Sequence, residues 1–297
     1  NEKKKINQLV SKGKAYQLPF KLKWTRNFSG EINRTTLLEL KKLNLKIKNI
    51  SSIGSKIYSA QSQISIIGNN LFFDYKIENN LISFFSSNLE LVNQEAEYSG
   101  TIKLDPFNFK IDINLNELDL KKLITVQHII EELLKTNLFF NKNLNGYIKL
   151  SSNKLLGNKI FDGLRVLINF NSGEINLDNS YLTSKKLGPL VLYKSSIETI
   201  NNELLFRGSY DFKITEQSKF YRFFQIPKKD RKIVNNIYFD LEYNMFNDEI
   251  KILDLKINDL DKGANDGIIQ FLDEYNYKSK EEKIENWIDL RNFVNKI

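Results

Sequence analysis

The residue types that most often carry out catalysis or bind metals are scarce in this chain. It has no cysteine and a single histidine, His128, which excludes thiolate chemistry and histidine-rich metal sites. His128 falls on the polar face of a predicted helix, with Glu132 one turn later, a spacing typical of a solvated side chain rather than of a catalytic triad. Residues 259–267 have the composition of a calcium loop, but Gln270 stands where the closing glutamate belongs. We therefore expect neither a metal nor a cofactor.

Two pairs of carboxylates have the chemistry needed for acid–base catalysis. Glu131 and Glu132 adjoin on the predicted helix, and Asp240 and Glu242 share the polar face of a predicted strand. Their positions favour solvated surfaces over a cleft, so the sequence predicts a protein that is not an enzyme. A carbohydrate-active β domain stays a distant alternative, which would require two carboxylates facing each other across a cleft.

Aromatic and basic residues are interleaved in residues 219–232, KFYRFFQIPKKDRK. Rings beside cations suit a membrane interface, and the candidate interface residues are Phe220, Tyr221, Phe224, Lys228, Lys229 and Arg231. The same composition suits single-stranded nucleic acid, although we expect no nucleic-acid partner. A structural alternative is a short helix over residues 216–225, ended by Pro227, whose rings fill the sheet while the basic turn stays hydrated.

Several segments alternate apolar and polar residues, which predicts β-strands with one apolar face. The clearest are residues 71–77, 107–115 and 237–243. The apolar positions that we expect to line a groove are Leu71, Phe73, Tyr75, Phe107, Phe109, Ile111, Ile237, Phe239 and Leu241. Asn79-Asn80 between two such segments predicts a hairpin turn, because asparagine tolerates positive φ.

The sequence predicts a mainly β chain with a central helix and a helical segment at its C-terminal end. Hydrophobic residues make up 41% of the 297 residues, which is enough for a core and argues against general disorder. The predicted segments are a basic lead-in over 1–15, a β segment over 16–117, a central amphipathic helix over 118–137, a second β segment over 138–262 and a C-terminal helical segment over 263–297. We expect one continuous domain from a larger chain, built as an elongated antiparallel meander that forms a curved β-groove.

The apolar face of such a meander must be shielded from water. Two sheets packed face to face and a sheet covered by helices are both possible, but two useful helices are few for more than a dozen strands. The third possibility is an open trough for hydrocarbon, since about sixteen acyl carbons in water cost about 13 kcal/mol at ~0.8 kcal/mol per methylene. The net charge of +8 is a weak indication of anionic partners such as lipid headgroups.

Several stretches resemble the AsmA-like proteins of the Gram-negative envelope. These are LFFNKNLNGYIKL from Leu138, NFNSGEINLDNSYL at 169–182, the segment 219–232 and the closing ENWIDL. The resemblance covers roughly residues 16–297, is firmer in the second half and carries over no site residue. It implies a repeating periplasmic β-groove anchored in the inner membrane by an N-terminal helix, in a family implicated in phospholipid transport and outer-membrane biogenesis. No segment here is apolar enough for a membrane helix, and since the chain begins at Asn1 we expect the anchor upstream of it.

The functional prediction is a non-enzymatic periplasmic envelope protein that binds or conducts phospholipids or other acyl lipids. A membrane surface is a further expected partner. The alternative is a structural or assembly factor that pairs with another β protein through exposed sheet edges.

Overall fold

The described residues fold mainly into β-strands, as the sequence predicts. The structure is a computed structural model, and it describes residues 6–15, 18–28, 33–52, 58–66, 69–88, 90–91, 94–119, 133–136, 138–157, 160–201, 203–247, 249–258 and 291. It divides into two compact units, the first comprising Asn1–Ser152 with Phe170–Gly173 and the second Asn153–Asn169 with Glu174–Ile297.

The first unit is a long meander of antiparallel strands. Its strands are β1 (Ile6–Ala15), β2 (Leu18–Asn27), β3 (Asn33–Leu40), β4 (Leu45–Ser52), β5 (Tyr58–Ile66), β6 (Asn69–Glu78), β7 (Leu81–Asn88), β8 (Glu90–Leu91), β9 (Gln94–Leu104), β10 (Phe107–Leu115), β11 (Leu118–Asp119) and β12 (Gly146–Ser152). Strands β1 to β7 pair in sequence order, β7 then pairs with β9, and β9 pairs with β10. The last pair, β10 with β12, is parallel.

Tight turns hold this meander in register. Asn79 and Asn80 both have positive φ, 46° and 65°, which is the backbone of a two-residue hairpin turn and confirms the predicted turn between β6 and β7. Asn44, with φ 47°, ends the short 3-10 turn Lys41–Leu43 between β3 and β4. Because these turns leave little chain between strands, directly opposed residues keep to one face of the sheet over many strands.

The basic segment 1–15, predicted as a solvated lead-in, contributes a strand. All ten residues of β1 are exposed, and β1 pairs with β2 from Ile6 opposite Asn27 to Ala15 opposite Leu18. Its apolar and polar residues follow no period of two, so the sequence pattern did not indicate it, and backbone hydrogen bonds hold it in place.

The described residues include only small parts of the two long helices that the sequence predicts. Of segment 118–137, Leu118–Asp119 forms β11 and residues 133–134 are helical. His128, Glu131, Glu132, residues 259–267 and nearly all of 263–297 are not among the residues described. In the described part of the chain, no helix has the length and apolar character required to cross a membrane.

In its described residues, the second unit combines antiparallel strands with a short helix. Its strands are β13 (Leu155–Leu156), β14 (Gly163–Asn171), β15 (Glu174–Asn176), β16 (Tyr181–Thr183), β17 (Leu190–Ile200), β18 (Glu203–Lys213), β19 (Asn236–Asn244) and β20 (Glu249–Ile257). Strands β16 to β20 pair antiparallel in sequence order. Between β18 and β19 lies helix α1, Gln217–Phe223, which confirms the short helix predicted over 216–225.

Candidate functional site

An apolar cavity lies on one face of the first unit's sheet. It has a volume of about 470 Å³, is open to solvent, and is lined by side chains of five strands, β5, β6, β7, β9 and β10. The lining residues are Ser62, Ile64, Leu71, Phe73, Tyr75, Ile77, Ile82, Phe84, Tyr98, Ile102, Ile111 and Ile113. This volume falls within the range of pockets that hold small molecules, and such pockets are mostly apolar.

Strand alternation and strand register together build the wall of the cavity. Tyr75 lies opposite Phe84 across β6 and β7, and Ile111 lies opposite Gly100 across β9 and β10. Opposed residues point to the same face, so the apolar positions of five strands form one surface. Gly100 leaves room for the ring of Phe84, which lies 2.7 Å from where a Cβ on Gly100 would stand.

The opposite face of the same sheet carries ion pairs together with exposed apolar side chains such as Leu81 and Phe85. Lys149 forms an ion pair with Asp112 across β10 and β12, and Lys21 Nζ lies 3.7 Å from Glu39 Oε2 across β2 and β3. This face is therefore solvated, and the cavity lies on the other side of the strands.

The few polar groups in the wall are hydrogen-bonded within the protein. Asn49 Oδ1 accepts hydrogen bonds from the Ser62 hydroxyl at 3.0 Å and from the Tyr75 hydroxyl at 2.7 Å. The Tyr98 hydroxyl donates a short hydrogen bond to the carbonyl of Phe72, and burial raises the pKa of Tyr98 above its usual value of 10. Because these donors are already bonded, the wall presents hydrocarbon to the cavity.

Six of the predicted groove residues belong to this unit and share this face. Leu71, Phe73, Tyr75 and Ile111 line the cavity itself. Phe109 is buried beside Phe170, with 5.4 Å between ring centroids. Phe107 lies at the start of β10, opposite Leu104, and is exposed. The face predicted from alternation thus corresponds to the cavity wall, with the β10 aromatics continuing it beyond the cavity.

The other three predicted groove residues lie in the second unit, on a face that the chain itself covers. Ile237 is buried in a core that the segment 214–234 completes, and Phe239 packs against that core. Phe239 also stacks on Tyr210 at 4.9 Å between centroids. Leu241 is half-buried opposite Gly208. Ile237 and Phe239 therefore pack against other side chains of the protein, whereas the sequence predicted that they line a groove.

Three of the four aromatic residues of segment 219–232 are buried. Phe220, Tyr221 and Phe224 are each at most 3% exposed and form part of the same core. The Tyr221 hydroxyl donates to the carbonyl of Lys232 at 2.6 Å, which ties the next turn to the helix. These rings are therefore unavailable to a membrane surface in this conformation, and they fill the sheet as the structural alternative for this segment predicts.

The three cations among the candidate interface residues divide into two groups. Arg231 Nε donates to the carbonyl of Ile226 at 3.0 Å, and its guanidinium lies 5.7 Å from the ring centroid of Tyr221. Lys228 and Lys229 are exposed in the 3-10 turn Lys228–Asp230. Arg231 thus has a structural role, while the two lysines face solvent.

Most of the cavity wall was missing from the sequence prediction. Ile82 and Phe84 come shortly after the Asn79-Asn80 turn, and counting back from that turn places them opposite Ile77 and Tyr75. The hairpin rule was therefore a usable signal for β7. Ile113 belongs to the alternating segment 107–115, so the pattern that identified Ile111 applied to it as well. For Ile64 and Ile102, no local signal specifies which strands are neighbours.

The described residues contain no cluster of three or more acidic or histidine side chains that could hold a metal ion. Of the two candidate carboxylates on β19, Glu242 Oε2 accepts a hydrogen bond from Arg207 Nε at 2.8 Å on a partly exposed strand face. This is a surface ion pair of modest energy.

Comparison with known proteins finds no family model that matches the chain, and neither a curated protein nor a solved structure that is significantly similar to it. The function of the chain is therefore inferred from its residues and their geometry.

Proposed function

We propose that this protein is a non-enzymatic lipid-binding protein that holds an acyl chain in the apolar cavity of the first unit. The observation that carries the proposal is the cavity itself, whose wall consists of Ile, Leu, Phe and Tyr side chains around a single serine. A wall of this kind offers a ligand no hydrogen bonds and favours hydrocarbon.

The dimensions of the cavity suit an acyl chain. Its lining spans five strands, and four spacings of about 4.8 Å give a length of about 19 Å along the sheet. An extended chain advances about 1.2 Å per bond, so roughly sixteen carbons match this length. Burial at ~0.8 kcal/mol per methylene leaves a favourable balance after the entropy lost on binding.

The apolar face continues from the cavity toward the N-terminal strands, which supports conduction along the sheet as well as binding. Leu71 and Ile64 belong to the cavity wall, and Ile47 lies opposite Ile64 in the next strand. Leu38 and Leu22 continue the same row on β3 and β2. A lipid tail that leaves the cavity in this direction would stay on aliphatic side chains.

A periplasmic envelope location, an inner-membrane anchor upstream and a role in outer-membrane biogenesis complete the proposal. They derive from the AsmA-like resemblance of the sequence. The long meander with one apolar face agrees with the groove that this resemblance implies.

The direct test is lipid binding by the purified chain, with a variant that fills the cavity. Ile82→Trp places a large ring in the cavity, and Leu81→Trp is the matched control because Leu81 is the neighbouring residue on the opposite face and is exposed. We expect Ile82→Trp to weaken binding of a fluorescent fatty acid at least tenfold and Leu81→Trp to leave it unchanged. Equal binding by all three proteins, or no lipid bound by the unaltered chain, would contradict the proposal.

The exposed lysines of the second unit support a contact with an anionic membrane surface. Lys228, Lys229 and Lys232 are exposed beside Ile233, which is 71% exposed. An apolar side chain among cations suits the headgroup region, where each cation contributes about 1 kcal/mol.

Vesicle binding tests this surface. Lys228→Gln/Lys229→Gln should weaken binding to vesicles containing phosphatidylglycerol by roughly 30-fold at low salt. The matched control is Lys41→Gln/Lys42→Gln, since these lysines occupy the other 3-10 turn, in the first unit. A loss of the same size in the control would assign the effect to net charge alone.

Strand β1 favours assembly with another β protein as a second candidate function. Ile6, Leu9 and Val10 are exposed on it, and within the described part of the chain it pairs with β2. Such an edge can accept an extended apolar segment of a partner. A cysteine at Leu9 that crosslinks to an identified strand of a partner, with Ile82→Trp retaining function in cells, would favour assembly over lipid binding.

A further inference from the structure

Two arginines stand side by side on the apolar face of the first unit. Arg26 of β2 lies directly opposite Arg34 of β3. Trp24 is two residues before Arg26, and in a strand such residues share a face. Trp24 in turn lies opposite Thr36, one row away from Leu22 opposite Leu38. The two guanidinium groups therefore extend from the face that carries the cavity, although the remainder of that face is largely apolar.

Neither arginine of this pair has an anionic partner among the described residues. The Nε atoms of both Arg26 and Arg34 are buried and make no hydrogen bond. The guanidinium of Arg26 contacts an aromatic ring instead, lying 4.5 Å from the centroid of Phe28. On the opposite face of the same two strands, by contrast, Lys21 pairs with Glu39.

This arrangement is unfavourable without a ligand. Like charges directly opposed across a strand pair repel each other. A buried donor without an acceptor costs free energy, and more so when it belongs to a charged group. An anion between the two guanidinium groups would relieve both effects.

The arginine pair is aligned with the cavity. Arg34 lies opposite Ser51, Ser51 opposite Ala60, and Ala60 opposite Tyr75, which lines the cavity. The lining begins at β5, two strands from β3, which corresponds to about 10 Å. The arginine pair and the cavity thus share one face of the sheet, separated by the small buried side chains of Ser51 and Ala60. An amphiphile with its tail in the cavity and its head at the arginine pair would cross these two residues.

We propose that Arg26 and Arg34 bind the oxyanionic head of the lipid whose acyl chain occupies the cavity, an inference that rests on the proposed function. Guanidinium groups bind phosphate and carboxylate through paired N–H donors. The ligand class is accordingly an acyl lipid with a phosphate or carboxylate head, and the arginine pair makes the apolar face selective for anionic amphiphiles.

The test compares three single-chain amphiphiles that share an oleoyl tail. Oleate carries a carboxylate, 1-oleoyl lysophosphatidate carries a phosphate and 1-oleoylglycerol is neutral. The variant is Arg26→Gln/Arg34→Gln. The matched control, Lys23→Gln/Lys48→Gln, removes two cations from the opposite face of β2 and β4, where both lysines are exposed and share one register row through Leu37.

We expect the unaltered chain and the lysine control to bind the anionic amphiphiles about 10- to 100-fold more tightly than 1-oleoylglycerol. The arginine variant should lose this preference and keep its affinity for 1-oleoylglycerol, with a melting temperature no lower than that of the unaltered chain because the repulsion is removed. The head that loses more affinity, phosphate or carboxylate, identifies the natural source.

An unchanged anionic preference in the arginine variant would overturn the inference and leave the proposed function intact. An equal loss for the neutral and anionic amphiphiles would also overturn it, because it would indicate damage to the cavity. Failure of the unaltered chain to bind any of the three would overturn the proposed function itself.

Discussion

The two units carry apolar sheet faces of the same kind, and these faces have different neighbours. In the first unit, alternating residues of β5, β6, β7, β9 and β10 surround a cavity of about 470 Å³. In the second, the matching faces of β18, β19 and β20 pack against Phe220, Tyr221 and Phe224 from helix α1 and the residue after it. In the second unit a long connection packs on the apolar face, whereas the strands that line the cavity are joined to one another by short connections.

The lengths of the connecting segments explain the difference. Between β18 and β19 the chain runs through residues 214–235, long enough to form a helix and to return Ile226 and Val234 to the core. Between β6 and β7 only Asn79 and Asn80 intervene. A two-residue turn can reverse a strand but cannot cover it. The two faces should therefore respond differently to truncation, to lipid, to pH and to added methyl groups.

Truncation of a buried ring in the second unit should cause the largest loss of stability. Phe220 is 1% exposed, so Phe220→Ala should lower the free energy of unfolding by about 3–5 kcal/mol through the cavity that it leaves. Phe73→Ala in the first unit should cost only about 1–2 kcal/mol, because its ring already borders open space. Hydrogen exchange of β19 and β6 amides measures each effect locally. Equal losses would show that both faces are packed alike.

Lipid should stabilise the first unit and not the second. A ligand present at one hundred times its dissociation constant contributes about 2.7 kcal/mol to the state that binds it. We expect oleate to slow hydrogen exchange across β5 to β10, whose side chains line the cavity, and to leave β18 to β20 unchanged. Ile82→Trp should abolish the protection. Protection confined to β18–β20 would show that the ligand binds the second unit, and it would contradict the proposed cavity.

Alkaline pH should destabilise the second unit through Tyr210. Burial raises the pKa of Tyr210 from 10 to about 12, so the folded state favours the neutral phenol. This contribution is complete below pH 10 and is lost as the pH rises from 10 through 12, amounting to about 2 kcal/mol. Tyr210→Phe keeps the stacked ring and should flatten the pH dependence of unfolding over this window. A dependence that persists in Tyr210→Phe would assign the titration to another group.

The sequence predicted the faces of individual strands well. Alternation in residues 71–77 identified Leu71, Phe73 and Tyr75, which line the cavity, and Asn79-Asn80 indicated the correct turn. Both features are local, because strand period and turn chemistry involve residues close together in the chain. The mainly antiparallel meander is a consequence of these two features.

The sequence did not predict which part of the chain packs against each apolar face, because this depends on contacts between residues far apart in the chain. The alternation of residues 237–243 resembles that of 71–77, yet Ile237 is buried under chain from residues 214–234. The rings of α1 have a composition that suits either a core or a membrane interface, and only their burial distinguishes the two. The arginine pair was not predicted, because no local pattern in residues 28–32 specifies which residue of β2 lies opposite which residue of β3.

The two units also differ in the atoms that an added methyl group would meet. A Cβ on Gly100 would overlap the backbone carbonyl oxygen of Lys110 and stand 2.7 Å from Phe84 Cζ. A Cβ on Gly208 in the second unit would meet Leu192 Cδ1 at 2.5 Å, the end of a flexible side chain. Backbone of a paired strand cannot move without breaking its ladder, whereas a leucine can change rotamer.

We therefore expect Gly100→Ala to cost about 1–3 kcal/mol and Gly208→Ala about 1 kcal/mol or less, measured by urea unfolding. Gly100→Ala should also weaken fatty-acid binding, since the ring of Phe84, which lines the cavity, must shift to make room for the methyl group. Gly208→Ala should leave binding unchanged because it lies in the other unit. If Gly100→Ala were tolerated with full binding, the sheet of the first unit would be looser than its register implies, and the cavity would not have a defined wall with which to select a ligand.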